Sequence, residues 1–160
     1  MKVGFIGCGN MASAMIGGII RNQVVAPQDI LASAKTEASR ERAAKNLGIR
    51  LTASNKEVAS FADVLILAIK PFYYQEVIAQ IREDVKEDTV IVSITPGKTL
   101  EWLEEQFGRP MKIVRTMPNT PALVGEGISC ICLGPGATQE DTDKVCKIFS
   151  GFGKTELVTE

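Results

Sequence analysis

The chain alternates between short apolar runs and longer stretches in which apolar residues recur at helical spacing. Lys2–Ile6 reads as a strand, and Asn10–Arg21, with Met11, Met15 and Ile19 among its apolar positions, reads as a helix. Asp29–Ser33 is a second short strand. Thr36–Leu47 is a charged, alanine-bearing helix, with Gly48 as its C-terminal stop. Ile49–Thr52 is a third strand, and Ser54 can cap a short helix through Phe61. Asp63–Ile69 is nearly all apolar, the pattern of a strand buried on both faces of a parallel sheet. Pro71 opens the next helix, with Val77, Ile78, Ile81 and Val85 on one stripe. Thr89–Ile94 is another buried strand, and Leu100, Leu103 and Phe107 mark a further helix. Lys112–Thr116 and Ile128–Leu133 are late strands, Gln139–Phe149 is a late helix, and Lys154–Val158 closes the sheet.

Strands and helices that take turns in this way imply an α/β fold. The expectation is a Rossmann-type, doubly wound, mostly parallel sheet with helices on both faces. A flavodoxin-like strand order is the alternative arrangement. No repeat, linker or low-complexity tract divides the chain, so residues 1–160 read as a single domain.

Composition narrows the chemistry. Apolar residues make up 45% of the 160, enough for a core, and 18 basic residues balance 19 acidic ones. That balance calls for neither nucleic acid nor an anionic membrane surface. No apolar run has the length of a membrane span, and the N-terminus lacks the layout of a signal peptide. Cys8, Cys130, Cys132 and Cys146 form no CxxC pair and no disulfide framework; as reduced thiols they suit a cytoplasmic protein. Histidine is absent, which removes the commonest general base and zinc ligand, and no metal site is expected.

The candidate chemistry begins at Gly7-Cys8-Gly9-Asn10-Met11-Ala12, a G-x-G-x-x-A string between the first strand and the first helix. Gly7 permits the tight turn, Gly9 lets backbone approach a pyrophosphate, and Ala12 lets the helix pack close to the sheet. Free amides and the positive dipole end of the helix attract phosphate. The bland reading is a tight turn and nothing more. An NAD site usually carries Asp or Glu at the end of the second strand. Here that place is Ser33-Ala34-Lys35-Thr36, and Asp29 lies too early. Ser33, Lys35 and Thr36 could receive a 2′-phosphate, with Arg40 a turn further on, so NADP is favoured over NAD. Ordinary solvated charge is the alternative for Lys35 and Arg40.

Asn55 follows the third strand, where it can bond the ribose, phosphate or base, or simply begin a helix. Lys70, in AIKP, leaves the fourth strand at the edge where ligands bind in such folds; it is either solvated or faces the cofactor. ITPG, Ile94–Gly97, ends the fifth strand at the same edge, and RTMPNTPALVGEG, Arg115–Gly127, is a rigid polar loop whose prolines flank Asn119 and Thr120.

Taken in order, GFIGCGNMA, Asn55–Glu57, AIKP, ITPG and RTMPNTPALVGEG resemble the pyrroline-5-carboxylate reductase family over practically the whole chain; the last segment is the most discriminating. The resemblance implies a Rossmann domain that binds NADP(H), with tolerance for NAD(H), and reduction of L-1-pyrroline-5-carboxylate to L-proline. It implies cofactor contacts at Ile6, Gly7, Cys8, Gly9, Asn10 and Met11, at Ser33 and Lys35, at Asn55, at Ala68, Ile69, Lys70 and Pro71, and at Ile94, Thr95 and Pro96. Asn119 would lie near the nicotinamide end. Members of that family continue into an all-helical domain that forms the homo-oligomer and supplies most of the substrate pocket and the proton donor. Glu160 falls near the start of that domain, so catalytic residues are unknown, a monomer stays open for this chain, and cofactor binding with little turnover is the expectation. The substrate would be a small cyclic imine, whose protonated form accepts hydride without a histidine. Two other readings stand beside this one. One is a non-catalytic NADPH-binding module that serves a partner protein. The other is an NADP oxidoreductase acting on a different imine or a flavin-like cofactor.

Overall fold

The computed structural model describes residues 1–160 as one sheet of eight strands flanked by six α-helices. In chain order these are β1 (Val3–Ile6), α1 (Asn10–Arg21), β2 (Ile30–Ser33), α2 (Glu37–Leu47), β3 (Arg50–Thr52), α3 (Asn55–Phe61), β4 (Val64–Leu67), α4 (Tyr74–Ile81), β5 (Val90–Ser93), α5 (Leu100–Phe107), β6 (Lys112–Met117), β7 (Gly127–Leu133), α6 (Gln139–Phe149) and β8 (Gly153–Leu157). The strands lie in the order β3-β2-β1-β4-β5-β6-β7-β8. That is the doubly wound order, not the flavodoxin-like one, and β1 through β6 are parallel.

The four-residue strands β1, β2, β4 and β5 are buried at every position. Each side chain along them therefore meets a helix on one face or the other, which is why these segments read as continuous apolar runs. On one face Phe5, Ile66 and Val92 pack with Met15, Ile16 and Ile19 of α1 and Val145 and Ile148 of α6. On the other, Ile6, Leu65 and Ile91 pack with Val58 of α3, Ile78 and Ile81 of α4, and Leu103 of α5. Fully burying one such aliphatic side chain contributes about 2 kcal/mol, so each face is a core in its own right.

The late strands depart from a purely parallel sheet. β7 runs antiparallel to β6, pairing Val114 with Leu133 and Met117 with Cys130. The connection between them is the 3-10 turn Thr120–Val124, within the loop that the sequence presents as rigid. A parallel return needs a crossover of a dozen or more residues, and this loop is too short for one. α6 provides such a crossover for the next step, and β8 lies parallel to β7. Pro71 opens a 3-10 turn, Pro71–Tyr73, before α4 begins at Tyr74. α4 ends at Ile81, so Val85 lies outside the helix, although it remains buried in the same core.

Helix ends follow the sequence closely. Thr36, Ser54, Thr99 and Thr138 cap α2, α3, α5 and α6 through their hydroxyls, and Gly48 and Gly108 end α2 and α5 in the left-handed region. At α6 the Thr138–Asp141 pair forms a full capping box. α1 differs: Gly9 stands at its N-cap with no side-chain cap and no acidic residue follows in the first turn. No helix is long and apolar enough to cross a membrane.

Candidate functional site

β1 has β2 on one side and β4 on the other, so the sheet's winding reverses beside it. α1 packs on one face of the sheet and α3 on the other. In such a sheet a crevice opens outside the carboxyl ends of the strands. Here a cleft of about 510 Å³ occupies that position, lined by the Gly7–Gly9 turn, the β2–α2 loop from Ser33 to Thr36, Asn55, and one side of α4.

The turn at the mouth is tightly determined. Gly7 has φ +94°, and a Cβ there would lie 2.4 Å from the carbonyl oxygen of Ala68, which lies just past the end of β4 and donates its amide to the Ile6 carbonyl. Both the dihedral and the close approach require glycine. Gly9 is different: its backbone is extended (φ −84°, ψ −162°), and a Cβ would meet no atom within 4 Å. The first amides of α1 have no side-chain partner. Ala12 is buried under the helix, as the close packing of α1 on the sheet demands. Cys8 lines the mouth; burial pushes its thiol upward against the opposing pull of the Ser13 hydroxyl, keeping it in the neutral form.

The floor is a run of hydrogen bonds. The Gly7 amide donates to Ser33 Oγ at 3.2 Å, Ser33 Oγ donates to Asn55 Oδ1 at 2.7 Å, and Asn55 Nδ2 donates to Gln80 Oε1 at 3.0 Å. Ser33 is 3% exposed and has both partners inside the protein, so it organises the mouth, whereas the sequence suggested it as a direct receiver of phosphate. Lys35 and Thr36 stand at the exposed end of the β2–α2 loop, as expected. Arg40 does not reach the cleft. Its Nη1 donates to the carbonyls of Ala34 at 2.9 Å and Lys35 at 3.1 Å, bracing that loop from behind.

Of the residues singled out in the sequence, the cleft gathers Gly7, Cys8, Gly9, Ser33, Lys35, Asn55 and Ile69. Asn10 and Met11 stand in the first turn of α1, directly after Gly9 but outside the cleft lining. Ile6 and Thr95 turn their side chains into the protein, at 1% and 2% exposure, so only their main chains can meet a ligand. The Thr95 hydroxyl is buried without a hydrogen-bond partner. Ala68, Lys70 and Pro71 lead out of β4, and Ile94 and Pro96 out of β5, at the same edge but outside the cleft lining. Asn119 is held by the fold: its Oδ1 accepts from the Ile128 amide at 3.0 Å, closing the turn between β6 and β7.

The sequence reading missed the α4 wall. Tyr73, Glu76, Val77 and Gln80 face the cleft. Their spacing of i, i+3, i+4 and i+7 is one helical stripe. It lies beside the apolar stripe that faces the core, and Val77 belongs to both. The mixed polarity of that second stripe was the available signal. Ser39 was missed as well; it accepts the Thr36 hydroxyl at 2.8 Å and lines the cleft.

A sheet wound about β1, a glycine turn held against β4, and a helix that begins uncapped over the cleft define a Rossmann-type nucleotide-binding domain. A family model described as "NADP oxidoreductase coenzyme F420-dependent" matches residues 2–97. Over its whole length the chain is similar to pyrroline-5-carboxylate reductases. It is 38% identical over 159 residues to that of Escherichia coli, covering 99% of this chain and 59% of the relative. The structure of a pyrroline-5-carboxylate reductase from Coxiella burnetii superposes with a TM-score of 0.94 at 27% identity, covering 99% of this chain and 59% of the other. The Plasmodium falciparum pyrroline carboxylate reductase structure with NADP bound gives 0.89 at 30% identity, covering 99% and 57%. The chain belongs to the F420-dependent NADP oxidoreductase family, and within it to the N-terminal domain of the pyrroline-5-carboxylate reductases. It spans between half and two thirds of the length of these relatives.

Proposed function

We propose that this chain is the NADP(H)-holding part of a pyrroline-5-carboxylate reductase. In this reading residues 1–160 form one nucleotide-binding unit. The groups that orient the substrate and donate its proton belong to the further length that the relatives possess. The observation that carries the proposal is the uncapped start of α1 over a cleft whose β2 end bears Lys35, Thr36 and Ser39 and no carboxylate.

The residues divide the work. The turn from Gly7 to Met11 takes the pyrophosphate on the main-chain amides that follow Gly7, whose own amide is committed to Ser33. Lys35, Thr36 and Ser39 meet the 2′-phosphate, Asn55 meets the adenosine ribose, and Ile69, Tyr73 and Val77 give apolar cover to the adenine. The nicotinamide half then lies toward the segments that leave β4 and β5, Ala68 to Pro71 and Ile94 to Pro96, with Asn119 beyond. NADPH supplies a hydride for the carbon of the C=N bond of L-1-pyrroline-5-carboxylate, giving L-proline. This chain's part is to hold that donor at a fixed distance and angle, a contribution of proximity that requires no histidine. A cytoplasmic setting goes with this reading.

The family description also names coenzyme F420, but its match ends at residue 97, before the RTMPNTPALVGEG segment. The reductase likeness extends across that segment to 99% of the chain, which favours the imine as substrate.

Calorimetric titration with NADPH and NADH, on the wild-type chain and on Lys35→Glu, tests the proposal. The wild type should bind NADPH more tightly than NADH. Lys35→Glu should shift the ratio toward NADH by about tenfold, the effect of losing one charge-assisted phosphate contact. A wild-type chain that binds neither dinucleotide refutes the proposal; an unchanged ratio in Lys35→Glu refutes the role given to the end of β2.

A further inference from the structure

The hydrogen bonds along the floor of the cleft have a compulsory direction. The Gly7 amide is a donor and nothing else, so Ser33 Oγ must accept from it. The Ser33 proton is then free for Asn55, which must present its carbonyl oxygen at 2.7 Å. That leaves Asn55 Nδ2 turned toward Gln80, whose Oε1 must accept at 3.0 Å. Were the Asn55 amide turned over, Ser33 would accept twice and its own proton would lack an acceptor in a position only 3% exposed. The orientation thus follows from donor and acceptor chemistry along the whole row, independent of how the amide atoms are labelled.

We propose that Gln80 is a positioning residue for the adenosine half of the dinucleotide, acting through Asn55. By accepting from Asn55 it holds that amide in the one orientation Ser33 can use. It leaves the second Nδ2 hydrogen of Asn55 as a donor on the lining of the cleft, suited to phosphate oxygens or ring nitrogens. The row also removes the Gly7 amide from the ligand's reach, so the pyrophosphate must use the amides that follow it. Gln80 itself is exposed on α4, so its replacement leaves the core untouched. This inference rests on the NADP(H) reading for its purpose, and on the hydrogen bonds alone for its mechanism.

Two measurements decide it. In the ligand-free chain, Gln80→Leu should speed hydrogen exchange at the Gly7 amide about fivefold, three hydrogen bonds away. Gln80→Glu, which keeps an acceptor, should restore the protection. In titrations with NADPH, Gln80→Leu should weaken binding about fivefold in the wild-type background and leave it unchanged in an Asn55→Ala background, the pattern of a residue that acts through another. Unaltered exchange at Gly7 in Gln80→Leu overturns the inference. So does an equal loss of affinity with and without the Asn55 side chain, which would make Gln80 a direct contact. A chain that binds no NADPH defeats the functional reading, and the exchange measurement still decides the row.

Discussion

Gly7 and Ala68 meet so closely that a methyl group on Gly7 would lie 2.4 Å from the Ala68 carbonyl oxygen; two residues on, the same group on Gly9 would touch nothing within 4 Å. One glycine of the turn is demanded by the fold, and the other is not.

The two should therefore separate stability from binding. Gly7→Ala combines a left-handed φ with a clash against main chain, and we expect it to cost about 3 kcal/mol in a denaturant titration. Gly9→Ala has an ordinary backbone and open space, so its stability should change by less than about 0.5 kcal/mol. Its methyl group would stand in the mouth, however, and its affinity for NADPH should fall about tenfold or more in calorimetry. If Gly9→Ala bound NADPH normally, the pyrophosphate would not be resting on this turn.

Tyr74 sets the alkaline limit. It is wholly buried, donates to the Leu67 carbonyl at 2.6 Å and accepts from Ser93 Oγ at 3.3 Å. Burial pushes its phenol up to about 12, against the opposing pull of the Ser93 hydroxyl and the Ile94 amide. A pKa raised in the folded state stabilises the fold fully below the unfolded value of about 10, and that contribution disappears as pH rises toward about 12. Tyr74→Phe leaves the Leu67 carbonyl unpaired and should cost about 1–3 kcal/mol at neutral pH. The gap between the two proteins should close across that alkaline window. A constant gap from pH 9 to 12 in urea melts would contradict this.

Asp141 acts at the other end of the scale. Burial would raise its carboxyl, but the amide and hydroxyl of Thr138, with Lys112 and Lys144 nearby, hold it below the usual carboxylate range. Its contribution is present above about pH 4, where the unfolded carboxyl is ionised, and is lost as pH falls through the lower folded value. Asp141→Asn should be less stable than wild type by about 1 kcal/mol at pH 7, the usual worth of a cap. The difference should shrink below pH 4 in thermal melts. A difference that widened in acid would mean that the neutral side chain caps α6 better than the charged one.

Much of this fold could be read directly from residue order. α1 and α6 begin and end where the apolar spacing places them, because each carries a strong stripe and a clear start, the glycine turn for α1 and the Thr138 capping box for α6. The ends of strands were less legible. β4 stops at Leu67 although Ala68 and Ile69 are apolar, because the chain there leaves the sheet to pass beneath Gly7. The reversal at β7 was hidden for a different reason: direction is a property of the connection, and the Thr120–Val124 turn does not announce itself as a helix. In the site, the glycines were legible because a tight strand-to-helix turn favours residues without a side chain, and Lys35 because it follows the second strand where a carboxylate usually stands. Gln80 was not, since an exposed glutamine on a helix looks like any other until Asn55 is set against it.

The Arg40 brace has a last consequence. With that guanidinium committed to the Ala34 and Lys35 carbonyls, the cleft lining carries a single cation, Lys35, and a single anion, Glu76. Their charges cancel, so the guest is held by shape and by neutral donors more than by long-range attraction. Ionic strength should consequently be a weak lever on occupancy, and the domain can keep its nucleotide through changes in salt that would strip one from a strongly basic groove.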